Sequence, residues 1–169
     1  MRKLKLFSLL LLLLIGVGQM WGADPTISWA FKTLQTTSGT QDGITWETGK
    51  TGSASATICN STKGMVLYGV TSGGGYFQTT SAIEGVITNI TLVTTTQKNT
   101  PKYTVYGSTD GSNWTSIKGN IGAGTESIDT DDEYTYLKVA NTTAATAQLG
   151  VTSITVTYTP SSGSNKPTV

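Results

Sequence analysis

For chemistry this 169-residue chain offers 10 carboxylates, 11 Lys and Arg, one thiol and no imidazole. Without His there is no Ser-His-Asp or Cys-His nucleophile system, no imidazole metal ligand and no imidazole pH switch. The single thiol, Cys59, excludes an intrachain disulfide and a Cys-based zinc or iron–sulfur cage. Cys59 is expected as a small buried apolar residue, the alternatives being a reactive thiol or an intermolecular bridge. Paired carboxylates can cleave glycosidic bonds, but the acids here are few and most sit near turns. No catalytic residue and no enzyme activity is therefore expected. The densest acidic stretch is Asp129, Asp131, Asp132 and Glu133. It reads either as a solvated charged loop or as oxygen ligands for a structural Ca²⁺. No other metal or cofactor is expected.

Aromatic rings are the remaining candidates, because the C–H face of a sugar stacks on a π-surface. Trp29 shares an alternating face with Ile27 and Phe31 and is assigned to the core, as is Trp114. Trp46 lies among Thr45, Glu47 and Thr48, so it is either an exposed ring or a core residue. Tyr76 follows Gly73, Gly74 and Gly75, which either let a ligand approach the backbone or form a flexible loop. Trp46 and Tyr76 are thus the candidate ligand-binding residues.

The elements that must position these rings come in three parts. Residues 1–23 read as a signal peptide: Arg2, Lys3 and Lys5 precede an apolar run from Leu6 to Val17 that is too short to span a bilayer. Gly22 and Ala23 offer a cleavage point, and the alternative is a retained membrane anchor. Removal leaves eight basic residues against ten acids, so the net charge of +1 becomes −2. That balance gives no field for nucleic acid, and no membrane-spanning segment is expected in the mature chain. Residues 24–159 form one domain of common size, and residues 160–169 have linker composition.

Within the domain no helical period appears. Short β-branched and aromatic runs are divided by Gly, Ser, Asn and Asp, the pattern of an all-β sandwich or barrel. Strands are expected at 27–31, 44–48, 64–68, 76–80, 86–95, 102–108, 114–118, 134–140 and 152–159, with a short edge strand at Ser127 and Ile128. In the 86–95 run, Val86, Ile90 and Leu92 share one register, and Ile87 and Val93 the other. The 33 Thr then have a physical role. Thr is β-branched, suits the pleat, and presents its hydroxyl to water on the outer face of a one-sided sheet.

The stretch from Tyr103 to Thr115 contains Ser108-Thr-Asp110-Gly111-Ser-Asn-Trp114, in which Asp-Gly separates two alternating runs. Gly111 supplies the positive φ of a hairpin turn. This "strand, Ser-x-Asp-Gly-x-x-Trp, strand" unit resembles the core of discoidin or coagulation-factor type C domains. Gly85 to Leu92, Tyr134 to Val139 and Gly150 to Tyr158 resemble that family's flanking and closing strands, in order. The resemblance covers residues 64–159. It implies an antiparallel β-sandwich of jelly-roll, galactose-binding-like type. The paired terminal cysteines of many discoidin domains are absent, and no binding residue carries over. The overall pattern is also similar to small secreted β-sandwich modules of Gram-negative gut bacteria, found with glycan-degrading or surface proteins.

The expected function is a secreted or cell-surface binding or adhesion module whose partner is a carbohydrate. The alternative is a structural or protein-interaction module of a larger surface protein or assembly. Expression of the whole chain in a Gram-negative host should yield an exported product whose N-terminus, by Edman sequencing, lies beside Ala23. An exported product that still begins at Met1 would contradict the signal-peptide reading.

Overall fold

A computed structural model describes residues 23–52, 57–72, 74–144 and 146–161. The expected signal peptide, apart from Ala23, and most of the expected tail lie outside the described residues.

Among the described residues, twelve strands form two antiparallel sheets packed face to face, an antiparallel β-sandwich. The strands are β1 (Thr26–Ala30), β2 (Ser38–Gln41), β3 (Ile44–Lys50), β4 (Ile58–Asn60), β5 (Gly64–Tyr68), β6 (Gly75–Thr79), β7 (Gly85–Lys98), β8 (Lys102–Ser108), β9 (Thr115–Gly122), β10 (Thr125–Asp129), β11 (Tyr136–Asn141) and β12 (Gln148–Pro160). The back sheet runs β10-β7-β12-β5-β4, with β1 also on β12; the front sheet runs β2-β3-β6-β11-β8-β9. Strand β12 is the spine of the back sheet. One edge pairs with β7 throughout, while the other pairs first with β5 (148–151) and then with β1 (153–157).

Each predicted strand has a counterpart, and two edge strands, β2 and β4, went unpredicted. They are only four and three residues long, too short to carry an alternation to detect. Phe31 ends no strand. It starts one helical turn, α1 (Phe31–Leu34), closed by Gln35 at φ 48° with its N–H on the Phe31 carbonyl at 3.1 Å. The Phe31 ring nonetheless stays buried with Ile27 and Trp29.

The expected register of β7 also changes. Ile87 is buried together with Ile90 and Leu92, while Val86 and Val93 are half-buried. The cause is a register shift against β12, where Asn89 pairs with Thr157 but Ile87 with Tyr158, leaving Thr88 as an extra residue. Such a bulge shifts the two-residue period by one, so Ile87 and Ile90, three residues apart, face the same way. Thr152 does the same on β12, which buries both Val151 and Ile154.

The centre of the core is aromatic. The Phe77 ring on β6 lies 5.4 Å from Trp29 of β1, 5.6 Å from Phe31 and 5.7 Å from Trp46 of β3, centroid to centroid. Its contacts with Trp29 and Phe31 are edge-on, the arrangement that ring quadrupoles favour. Trp29 comes from the back sheet and Phe77 from the front, so this contact ties the layers together. Phe77→Ala should lose about 3–5 kcal/mol in urea denaturation. Gln78→Ala, one residue along and facing outward, should lose less than about 1 kcal/mol. Equal effects at the two positions would contradict this assignment of faces.

Candidate functional site

Strand β6 has two faces, and the core takes one of them. With Gly75, Phe77 and Thr79 buried, Tyr76 and Gln78 project from the outer side of the front sheet. Strand β11 obeys the same rule: Leu137 and Val139 go inward, leaving Tyr136, Lys138 and Ala140 outside. On β8, Val105 is buried and Tyr106 half-buried on the outer side. Pairing sets these residues side by side. Lys138 lies opposite Gln78 on one flank and Tyr106 on the other, and Ala140 lies opposite Tyr76 and Thr104.

The β8–β9 connection brings a further ring. Asp110 Oδ1 accepts the N–H groups of Ser112 and Asn113, each at 2.8 Å, and the Ser108 hydroxyl at 3.0 Å. Its Oδ2 accepts the Asn113 amide at 2.7 Å. Ser108 Oγ in turn accepts the N–H of Gly111 at 3.0 Å. Gly111 has φ +73°, and a Cβ there would come 3.0 Å from the Tyr136 ring, so a glycine lets the turn lie flat on that ring. These bonds hold the Asp110 carboxyl well below the usual carboxylate range, the two backbone N–H groups contributing most.

Trp114, which follows this turn, is not a core residue as expected. It precedes β9 and is half-buried on the outer face. A hydrogen-bonded turn, rather than strand alternation, sets the direction of this ring.

The result is a cleft of about 310 Å³ lined by Val70, Tyr76, Tyr106, Trp114, Lys138 and Ala140, among others. Lys138 Nζ sits 4.3 Å from the Tyr76 ring centre and 5.3 Å from that of Trp114, within cation–π range of both. Burial pushes the Lys138 ammonium pKa down from its ordinary value. Ala140 leaves room that a larger side chain would fill. Gly49 on β3 gives the Tyr76 ring its seat, since a Cβ there would come 2.3 Å from that ring. Asn141 closes the floor as a structural group, donating to the Leu67 carbonyl at 2.9 Å and accepting the Thr143 N–H at 3.1 Å.

The two expected ligand residues part company here. Tyr76 lies on the cleft wall, but on a strand rather than in a loop. Trp46 is 2% exposed and packs on Phe31 and Phe77, so it offers no ring to a ligand. It faces inward because its β3 face is also that of buried Ile44. Lys138, Tyr106 and Trp114 escaped sequence reasoning as site residues. The alternation of Tyr136, Lys138 and Ala140 with Leu137 and Val139 was the available signal for Lys138.

The remaining candidates lie elsewhere. Asp129 Oδ1 accepts the Asn89 amide at 2.7 Å, and Asp131, Asp132 and Glu133 are exposed. Among the described residues, no three Asp, Glu or Cys side chains converge as a metal site would require. Cys59 is half-buried against the core rather than fully buried. Its thiol lies 3.3 Å from the Phe31 carbonyl, and burial pushes its pKa up.

The fold and cleft define an antiparallel β-sandwich with a concave aromatic site on one outer face. Among solved structures, the chain is similar to CBM29_1, a family 29 carbohydrate-binding module from Piromyces equi. Identity is 13%, coverage 82% of this chain and 94% of that one, and the TM-score 0.52. It is also similar to the xylan-binding module CBM86 from the gut symbiont Roseburia intestinalis, at 12% identity, 80% and 96% coverage and TM-score 0.46. A third likeness is to CpGH89CBM32-6 of Clostridium perfringens, at 14% identity, 68% and 94% coverage and TM-score 0.43. At 13% identity, the likeness to CBM29_1 speaks for a shared fold alone. No family model and no curated protein matches the sequence.

The Asp110 turn makes a prediction about acid. A carboxyl whose folded pKa is depressed contributes its full stability above the unfolded pKa of about 3.9, and loses it as pH falls toward the folded value. Asp110→Asn should therefore flatten the decline in stability below about pH 4 relative to the parent. The check is thermal melting across a pH series. Parallel declines would remove Asp110 from the account.

Proposed function

We propose that this protein is a non-catalytic carbohydrate-binding module, exported to the cell surface or beyond, that takes a short glycan in the Tyr76–Trp114 cleft. The observation that carries the reading is the pair of half-exposed rings, Tyr76 and Trp114, set about Lys138 in one cleft. Half-exposed rings offer C–H stacking surfaces, while the ammonium supplies directed hydrogen bonds to ring substituents. The volume sits at the low end of the ~300–1,000 Å³ typical of small-ligand sites, which suits one or two sugar units better than a long chain.

Further support comes from the fold. The similar structure with TM-score 0.52 is a carbohydrate-binding module. The groups lining the cleft are aromatic, aliphatic, hydroxyl, amide and ammonium, a set suited to holding a sugar rather than cleaving it. A protein-docking face gains less support. Among the described residues, the exposed large apolar side chains are Ile58 and Val70, on separate elements.

A glycan array probed with the purified protein tests the reading. Binding should appear for some glycans and fall at least about tenfold, equivalent to ~1.4 kcal/mol, in Trp114→Ala and in Tyr76→Ala. Both variants should keep the parent melting temperature within a few degrees, because neither ring belongs to the core. Absence of binding to every glycan at millimolar concentration would overturn the proposal.

A further inference from the structure

Lys138 is the one charged side chain among the described residues lining the cleft. Its Nζ is half-enclosed by the Tyr76 and Trp114 rings, which attract a cation through their faces but bring no formal negative charge. Among the described residues no carboxylate pairs with it; the Lys118–Glu126 ion pair joins β9 to β10 away from the cleft. The acid nearest in register is Glu47 on β3. It lies two strands away, with about 10 Å between backbones, and it already accepts the Gln78 amide at 2.9 Å.

We infer that the cleft selects glycans bearing an anionic group, a carboxylate or a sulfate, and that Lys138 determines this preference. The inference rests on the reading of the cleft as a glycan site. A neutral hydroxyl satisfies one of the three ammonium donors but leaves the charge uncompensated where water is partly excluded. An anion supplies both the acceptor and the opposite charge, adding to the hydrogen bond a Coulomb attraction that a neutral hydroxyl lacks. Burial alone accounts for the lowered Lys138 pKa, consistent with an ammonium that has no acid beside it. Without the expected signal peptide the chain carries −2, so the preference arises inside the cleft rather than from long-range attraction.

The test is an array of the purified protein against uronic-acid and sulfated glycans, each beside its methyl-esterified or desulfated counterpart, followed by calorimetry on the binders. The expected result is that acidic members bind at least about tenfold more tightly than their neutral partners, by a margin that shrinks as salt rises. Which half of the array binds tells a carboxylate from a sulfate. Lys138→Met should abolish the margin and Lys138→Arg should keep most of it, both with the parent melting temperature. Equal binding of charged and neutral partners, or an unchanged margin in Lys138→Met, overturns the inference and leaves the glycan reading standing. Binding to neither member of any pair overturns both.

Discussion

Phe77 sits where the two sheets meet, and its contacts with Trp29, Phe31 and Trp46 fix more than the core. A strand alternates its side chains strictly, so committing Phe77 inward commits Tyr76 and Gln78 outward. Leu137 and Val139 impose the same choice on Lys138 and Ala140. The outer aromatic site is therefore the reverse side of the core. Any change that slipped β6 by one residue would bury Tyr76 and expose Phe77, destroying site and core together.

What alternation cannot do, small residues and turns complete. The Tyr76 ring lies where Gly49 has no side chain, and the Asp110 turn lies on Tyr136 where Gly111 has none. That turn is held by an exposed carboxylate through neighbouring N–H groups and the Ser108 hydroxyl rather than by burial. A rigid turn matters here because Trp114 stands just past it. Bulges play the matching role in the back sheet: Thr88 and Thr152 each reset the period, which lets β7 and β12 stay buried along long pairings.

The electrostatics of the site follow from the same geometry. Lys138 projects between rings that exclude water without neutralising its charge, while the acids of this chain are spent on turns, edges and side-chain amides. A sandwich that is nearly neutral overall thus concentrates one cation in one aromatic recess. Recognition by such a recess combines stacking, which tolerates many sugars, with one directional charge, which discriminates among them.

Much of this was legible from residue order. The Thr-rich alternation with Val, Ile and Tyr specified antiparallel strands with a wet face, and the Asp110-Gly111 hairpin pointed to the sandwich, because backbone pleat and turn chemistry are local. The missing imidazole and single thiol narrowed the chemistry before any folding. Trp46 shows the limit. Its polar neighbours suggested exposure, yet Ile44 and the Phe77 cluster draw it inward, and only the facing sheet reveals that. Tyr76 could be named from its position after the glycines. Its partners Lys138, Tyr106 and Trp114, 30 to 62 residues further along, could not. They meet only through the register of β6, β11 and β8 and the direction of one turn, which are properties of the packed sheets rather than of any segment within them.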